Sequence, residues 1–317
     1  MKAGPGLSIG AGAALLALPF LTGNTYLHHL MVLWMLYALL AMSLNIVIGY
    51  LGELNFGHAA FFGIGAYTTA ILATRFGVPA ILGLIAAAVA AGSFGLLIGY
   101  VALRIRGPQF AILTLGFGSI LYTIANYWID LTRGPMGISN LPLFSLAPGW
   151  MVLESARGSY LLVTTCVLAC AYACHALTRS STGRAFIAVR ENERLAASIG
   201  IDVFRTKLLG FVVATALAGV GGALYAHYIR VVTPELLGVQ YMVAMIIIVV
   251  VGGRGTIVGP ILGAFIYVAL LEALRAFGPL RMVTFSVLLT ASVIFLPAGL
   301  AGTAARLLRP SRAAGGS

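Results

Sequence analysis

Ten apolar runs of similar length follow one another along this chain, and they constrain its fold more than any other feature. Each run is close to the roughly 20 residues that an α-helix needs to cross a bilayer. The chain is 61% hydrophobic and only 9% charged, which is too little charge to cover a soluble domain. The sequence therefore predicts an all-α, polytopic membrane helical bundle. The predicted spans are residues 7–23, 30–48, 56–74, 79–103, 110–129, 159–177, 208–228, 236–251, 256–274 and 282–300.

The number of spans is left open by two segments. Residues 7–23 are short and follow Lys2, as in a signal peptide, but no convincing A-x-A cleavage site comes after them, so a retained first helix is favoured. A glycine-rich segment that enters and leaves the membrane on the same side would reduce ten spans to nine. We expect nine or ten transmembrane helices in a single transmembrane domain, residues 1–317.

One long polar segment, residues 178–207, interrupts the apolar runs. It holds six of the nineteen Lys/Arg and three of the eight Asp/Glu. Asn192 can cap a short helix that has Glu193 in its first turn and ends at Gly200, and Asp202 can cap the apolar helix that follows. Two interpretations fit this pattern: a docking helix for a partner protein, and an ordinary surface helix between two spans.

The placement of Lys and Arg orients the chain. With the N-terminus inside and ten spans, thirteen of the nineteen Lys/Arg lie inside and six outside. The positive-inside rule then places both termini, the segment 178–207 and the tail 306–317 in the cytoplasm. The longest external segment, residues 130–158, is rich in Pro and Gly and is expected to hold a short surface helix. It acts either as a connector or as the surface that receives a soluble partner.

Two stretches, residues 45–67 and 247–267, resemble each other. Each has an apolar half, a G-x-x-G break and then a glycine-spaced helix. The breaks are Gly49/Gly52 and Gly252/Gly255. Such breaks in corresponding halves are typical of pseudo-symmetric transporters with discontinuous helices beside the transport pathway, so the pattern predicts an internal pseudo-repeat. The alternative is that these glycines only allow helices to pack closely.

Ionisable side chains are rare inside the predicted spans, and such groups are usually functional because a bilayer makes them costly. They are Glu53, His58, His175, His227 and Glu272. Glu53, Asn55 and His58 surround the first break, where freed backbone groups need protein or water beside them. We expect them either to line an aqueous path or contact a partner subunit. Alternatively, Asn55 is only the N-cap of the next helix and Glu53 is solvated at the inner interface.

An enzyme embedded in the membrane is a competing function. Ser119 could be a nucleophile with His175 or His227 as its base, but nothing in the sequence fixes their geometry. There is no HExxH motif and no His/Cys ligand set, so no metal site, catalytic residue or cofactor is expected. The three cysteines recur every four residues in one apolar run and are expected to pack against other helices.

The chain also has no P-loop, G-x-x-x-x-G-K-[ST], and its only lysines are Lys2 and Lys207. If transport is driven by ATP, the ATPase is another polypeptide, and residues 178–207 are the natural place to receive it. An autonomous channel or secondary transporter is the alternative. It would need intramembrane carboxylates, of which only Glu53 is well placed, and would leave the charged segment without a role.

Several motifs together resemble the permease subunits of the branched-chain amino acid ATP-binding cassette (ABC) importers, of the LivM/LivH type. They are SLNIVIGYLGELNFGHAAFFGIGAY (43–67), RIRGPQFAILTLGF (104–117), STGRAFIAVRENERLAASIGI (181–201) and VVVGGRGTIVGPILGA (249–264). The third is similar to the cytoplasmic coupling loop of the LivM branch. One departure is Thr132-Arg133-Gly134, where family members often have T-G-G.

The resemblance implies a subunit of a heteromeric importer in the inner membrane of a bacterium. Its partners would be a second LivH-like permease, two P-loop ATPases, an extracytoplasmic substrate-binding protein and membrane lipid, with no nucleic acid. The family's substrates include branched-chain amino acids, and also urea, short amides and aromatic acids. Closure of the ATPases would move the helix at residues 190–200 and alternate the access to the pathway.

Two sets of candidate site residues follow from these patterns and from the resemblance. The candidate substrate pathway comprises Asn45, Glu53, Asn55, His58, Thr114, Gly252, Gly253 and Gly255. The candidate ATPase-coupling loop comprises Arg184, Arg190, Glu191, Asn192, Glu193, Ala196, Ala197 and Gly200.

Overall fold

The computed structural model describes residues 15–20, 23–105, 107–147, 150–152, 156–280, 284, 299–300 and 302. The first and last predicted spans, 7–23 and 282–300, lie largely outside these residues, as does the tail 306–317. The choice between nine and ten spans therefore stays a prediction.

The described part of the chain is mostly helical. Its helices are α1 (Thr25–Asn45), α2 (His58–Phe76), α3 (Ala80–Ala102), α4 (Pro108–Tyr127), α5 (Ile129–Thr132), α6 (Ala156–Arg179), α7 (Ser181–Glu191), α8 (Glu193–Ser198), α9 (Val203–Ile229), α10 (Val239–Gly252) and α11 (Val258–Ala273). A π-helical segment, Ile46–Leu51, continues α1. Three 3-10 segments cover Gly134–Met136, Pro234–Leu237 and Leu274–Leu280. Residues 15–20 are also helical.

Five helices in the described residues are long and apolar enough to cross a membrane. They are Thr25–Leu51, Ala80–Ala102, Pro108–Tyr127, Arg157–Arg179 and Val203–Ile229. The predicted spans 56–74, 236–251 and 256–274 correspond to α2, α10 and α11, which have 19, 14 and 16 residues. The prediction of an all-α, multi-pass membrane bundle is confirmed.

Four short strands lie in the described residues, which the sequence did not predict. β1 (Ile138–Ser139) pairs antiparallel with β4 (Val231–Val232), and β2 (Ser145–Ala147) pairs with β3 (Trp150–Val152). Pairings of two and three residues are too short to leave an alternating pattern in the sequence. The short helix expected in residues 130–158 corresponds to the single turn of α5, which begins at Ile129, and to the 3-10 segment Gly134–Met136.

The centre of the bundle is formed by α2, α3 and α9, which pack against one another through small residues. A Cβ atom on Gly219 of α9 would lie 2.5 Å from the Ala87 carbonyl oxygen of α3. A Cβ atom on Gly222 would lie 2.1 Å from the Phe62 carbonyl oxygen of α2. Glycine at these positions lets the helix backbones approach closely, as is common in membrane bundles.

The bundle has two chemically different ends. At one, which we call the break end, lie the π-helical segment, the loop 52–57, α7, α8 and the loop 253–257. At the other, the strand end, β1 pairs with β4. There Arg75 donates to the Asp130 carbonyl oxygen, and Arg230 donates to the Leu141 carbonyl oxygen at 2.8 Å. α2 runs from the break end to the strand end.

Candidate functional site

The two glycine breaks that resemble each other in sequence lie in contact. A Cβ atom on Gly49 would lie 2.4 Å from the Gly255 nitrogen. The Asn45 side chain joins them: its Nδ2 donates to the Thr256 carbonyl oxygen at 2.7 Å, and its Oδ1 accepts from the Gly255 N–H at 2.9 Å. Asn45 thereby fixes the position of the second break against the first. Whether the two stretches are internal repeats stays a prediction.

Glycine is required in the second break by its backbone conformation. α10 ends at Gly252, its C-cap Gly253 has φ 117°, and Gly255 has φ 72°. Residues with a Cβ atom rarely adopt such positive φ values. Gly252 is needed for space, because a Cβ atom there would lie 2.1 Å from the Gly259 carbonyl oxygen in α11. The sequence folds here into two helices that meet at a tight, glycine-lined turn.

Arg190 lies over both breaks. Its Nη1 donates to the Gly49 carbonyl oxygen at 2.7 Å, and its Nη2 donates to Glu191 Oε1 at 2.6 Å. A Cβ atom on Gly52 would lie 2.7 Å from Arg190 Cγ, and one on Gly255 would lie 3.1 Å from Arg190 Nη1. The last turn of α7 is therefore seated on the breaks through one guanidinium group.

A charged cluster of Glu53, Glu193 and Lys207 is the second link between the polar segment and the breaks. Lys207 Nζ donates to Glu53 Oε1 and to Glu193 Oε1, both at 2.5 Å. The Lys207 and Glu53 side chains are only 4% and 11% exposed. Charges buried in this way are tolerated when they are paired and costly when one partner is lost. One lysine of α9 thus holds the first break loop and α8 together.

The local interpretation of Glu53 and Asn55 is wrong. Glu53 is buried and ion-paired, and α2 has Gly57 as its N-cap with no side-chain cap. Asn55 is also fully buried, and its Oδ1 accepts from the Gly57 N–H at 2.9 Å. Whether Glu53 is solvated or buried in an ion pair could not be predicted from sequence, because its partner Lys207 lies far along the chain.

His58 continues this buried network. Its Nε2 lies 2.9 Å from Ser43 Oγ, and its Nδ1 lies 3.3 Å from Asn55 Nδ2. Ser43 Oγ also donates to the Leu40 carbonyl oxygen at 2.7 Å. Because that bond uses the only hydrogen of the hydroxyl, His58 donates from Nε2 to Ser43 and accepts at Nδ1 from Asn55. The network fixes the start of α2 against α1.

Thr114 brings α4 to the same loop. Its Oγ1 accepts from the Phe56 N–H at 3.1 Å and donates to the Ala111 carbonyl oxygen at 2.9 Å. A Cβ atom on Gly57 would lie 2.2 Å from the Thr114 carbonyl oxygen. The eight candidate pathway residues thus form the packed frame of the two breaks.

The predicted caps of the polar segment are confirmed. Asn192 Oδ1 accepts from the Leu195 N–H at 3.1 Å, Gly200 has φ 87°, and Asp202 Oδ1 accepts from the Arg205 N–H at 3.0 Å. The short helix expected after the Asn192 cap is α8, Glu193–Ser198; the coupling helix named as residues 190–200 therefore begins only at Glu193, because Asn192 is extended with φ −160°.

Residues 181–191 instead form the separate helix α7, which sequence reasoning missed. Arg190 and Glu191 lie in its last turn, and Arg184 is exposed on it. Its signals were the Ser180 N-cap, which accepts from the Gly183 N–H at 3.3 Å, and Phe186, which lies six positions after Ser180 and is buried.

The α8 helix presents an apolar surface to its surroundings. Leu195 and Ile199 are 63% and 68% exposed, and Ala197 is exposed as well. Ala196 is buried against the bundle. Exposed apolar residues on a polar, charged segment favour a docking surface for a partner.

A cavity of about 310 Å³ lies between α4 and the start of α10, and none of the candidate pathway residues lines it. Its lining residues are Phe56, Leu115, Gly118, Ser119, Tyr122, Thr123, Glu235, Leu237, Gly238, Val239, Gln240 and Met242. Sequence reasoning missed Glu235 because it stands one position before the predicted span 236–251. A carboxylate directly after Pro234, at the start of an apolar run, was the available signal.

The residues considered for an enzyme do not form a catalytic pair. Ser119 Oγ donates to the Leu115 carbonyl oxygen at 3.0 Å. The ring nitrogens of His227 lie 3.1 Å from Thr69 Oγ1 and 3.1 Å from the Pro142 carbonyl oxygen. In the part of the chain that the structure describes, no three His, Cys, Asp or Glu residues could together hold a metal ion.

Comparisons with known proteins point to one family. The model of the family "branched-chain amino acid transport system / permease component" matches residues 26–297. The high-affinity branched-chain amino acid transport system permease protein LivM of Escherichia coli (strain K12) is 34% identical over 289 residues, which cover 84% of this chain and 68% of that protein. LivH of the same organism is 28% identical over 256 residues, covering 76% of this chain and 82% of that protein. No solved structure matches the chain significantly.

Proposed function

Because the chain belongs to the permease family of branched-chain amino acid transport systems, we propose that it is the membrane-spanning subunit of an ATP-driven importer for branched-chain or related amino acids. The LivM-type resemblance of the sequence motifs is confirmed. Urea, short amides and aromatic acids are the alternative solutes. Hydrolysis of ATP belongs to partner chains in this proposal, and this chain supplies the pathway.

The observation that carries the proposal is the double link between the polar segment and the glycine breaks. Arg190 bonds the Gly49 carbonyl oxygen, and Lys207 joins Glu193 to Glu53. A displacement of α8 is transmitted through this buried cluster, since separating its charges inside the protein is costly. The loop 52–57 would then move with α8, and Asn45 would carry the movement to the second break.

Two P-loop ATPases are the proposed partners at the break end, where α8 exposes Leu195 and Ile199. A helix that inserts apolar side chains into a groove of a soluble partner is a common recognition mode. A second, LivH-like permease is proposed to complete the pathway.

We further propose that the break end is cytoplasmic and that both termini lie on that side. The charged segment with its six Lys/Arg is at this end, together with Arg254 in the second break. The strand end carries Arg75, Arg133 and Arg230. The excess of basic residues at the break end fits the positive-inside rule. An extracytoplasmic substrate-binding protein would meet the strand end, where Arg133 departs from the family's pattern.

An autonomous transporter is less well supported. It would depend on Glu53 as an intramembrane carboxylate that exchanges protons or ions. In the structure that carboxylate is paired with Lys207, whose Nζ lies 2.5 Å from Oε1, so it is not free to exchange a proton or an ion.

The test is purification of a tagged chain from detergent-solubilised membranes of its own organism, followed by reconstitution into vesicles. We expect two ATPases and a second permease to copurify, and leucine uptake to require both ATP and the binding protein. A chain that purifies alone and moves leucine without ATP would overturn the proposal.

A further inference from the structure

Glu235 places a carboxylate, exposed at the surface of this chain, level with the first half of α2. No Lys, Arg or His in the described residues pairs with it. Its depth follows from its neighbours. Leu237 packs on Gly63, where a Cβ atom would lie 2.3 Å from Leu237 Cγ, and the buried Tyr67 lies near Glu235. Gly63 and Tyr67 both belong to the first half of α2.

The cavity around Glu235 has the properties of a binding site for a small solute. Its volume of about 310 Å³ is at the lower end of the range for small-molecule pockets. Ser119, Thr123 and Gln240 give neutral polar groups to its wall, and Leu115 and Met242 give apolar ones. Glu235 is the one charged residue in this lining.

The negative charge of Glu235 indicates that the cavity would bind a cationic group. An unpaired carboxylate at this depth is costly, and bringing a cation to it recovers part of that cost. Ser119, Thr123 and Gln240 are exposed at the surface of this chain, so the cavity is open there. A solute can therefore enter without displacing a helix of this subunit.

We propose that this cavity is a solute-binding station on the transport pathway, in which the Glu235 carboxylate receives the ammonium group of an amino acid. The inference rests on the proposed function and deepens it, because it selects solutes that carry an ammonium group over urea, amides and aromatic acids. In this arrangement the residues around the glycine breaks change the access to the pathway, while the cavity binds the solute.

The charge preference of the cavity can be measured without transport. Cys166, Cys170 and Cys174 are replaced by serine, and Ser119→Cys places one thiol on the cavity wall of the assembled complex. The thiol is labelled with 2-aminoethyl methanethiosulfonate, which carries an ammonium group, and with the anionic 2-sulfonatoethyl reagent. We expect the ratio of the two rates to fall about tenfold when Glu235→Gln is added, because a charged cleft concentrates ions of opposite sign. Leucine should slow the labelling.

The matched control is Glu272→Gln, which removes a carboxylate that lies outside this cavity and 3.5 Å from Arg275. It should leave the ratio unchanged. Failure of both reagents to label Cys at position 119, or a ratio that is the same with and without Glu235→Gln, overturns the proposal.

Uptake separates this inference from the proposed function. If the unaltered complex takes up no leucine with ATP, the proposed function fails, while the labelling ratio still decides the charge preference of the cavity. If the unaltered complex transports leucine, Glu235→Gln should lower uptake about tenfold with the ATPase activity retained, and Glu235→Asp should restore part of it. Loss of the second permease from the Glu235→Gln complex would show instead that Glu235 pairs with a partner cation, and would overturn the proposal.

Discussion

Lys207 contacts Glu53 across 154 positions of the sequence, with Nζ and Oε1 2.5 Å apart and both side chains buried. The same ammonium group bonds Glu193 of α8. The polar segment and the first break are therefore held by a shared charge and not only by apolar packing.

Replacing Lys207 should destabilise the protein strongly. Lys207→Met removes the ammonium group that bonds the buried Glu53 carboxylate, and breaking a buried pair typically costs about 3–5 kcal/mol. We expect a lower midpoint of thermal unfolding and a lower yield of folded chain by size-exclusion chromatography. Arg205→Met is the control, because Arg205 is 86% exposed beside Asp202 and such pairs contribute about 0–1 kcal/mol. Equal stability of the two variants would contradict the role of the cluster.

A single methyl group at the contact of the two breaks should impair transport. In Gly49→Ala the new Cβ atom would lie 2.1 Å from Asn45 Oδ1 and 2.4 Å from the Gly255 nitrogen. Overpacking of this kind typically costs about 1–3 kcal/mol, and here it separates the breaks. We expect leucine uptake by the reconstituted complex to be largely lost. Gly23→Ala, where no atom of the described residues lies within 4 Å of the new Cβ atom, should transport normally. Normal uptake by Gly49→Ala would refute the contact.

A proline within α8 should uncouple the ATPases from transport. Ala197→Pro places proline in the interior of Glu193–Ser198, at a cost of about 3 kcal/mol to a helix. The protein should still insert into the membrane, but ATP hydrolysis should no longer drive uptake. Ser181→Pro is a control in the same segment, because Ser181 is the first residue of α7 and proline is well accepted there. Coupled uptake by Ala197→Pro would remove α8 from the mechanism.

Charging the apolar surface of α8 should weaken ATPase binding without unfolding the permease. Leu195 and Ile199 are 63% and 68% exposed, so Leu195→Asp and Ile199→Asp lose little packing within this chain. We expect fewer ATPases to copurify and an unchanged unfolding midpoint. A lower unfolding midpoint with full ATPase recovery would mean that these residues serve the fold of this chain. Ser198→Asp, which adds the same charge at an exposed polar position, controls for charge alone.

The parts of the site that could be predicted from sequence are local ones. Asn192 and Asp202 are caps whose hydrogen bonds reach only three residues along the chain. The positive φ values in the second break are indicated by its glycines, since glycine adopts them readily. The partner of Glu53 could not be predicted, because the sequence does not show which of the Lys and Arg residues at the helix ends lies near this carboxylate in the folded chain. The position of Glu235 along α2 could not be predicted either, because it depends on a long-range contact, the packing of Leu237 on Gly63.

The Asn45 amide bonds both a backbone N–H and a backbone carbonyl of the second break, at Gly255 and Thr256. A side chain that bonds two peptide groups of one loop fixes the orientation of that loop as well as its distance. Two helix breaks that are joined in this way move together, whereas two separate hinges would move independently. If the breaks move during transport, as the proposed function requires, intermediates in which only one break has moved would be disfavoured and the movement would be cooperative.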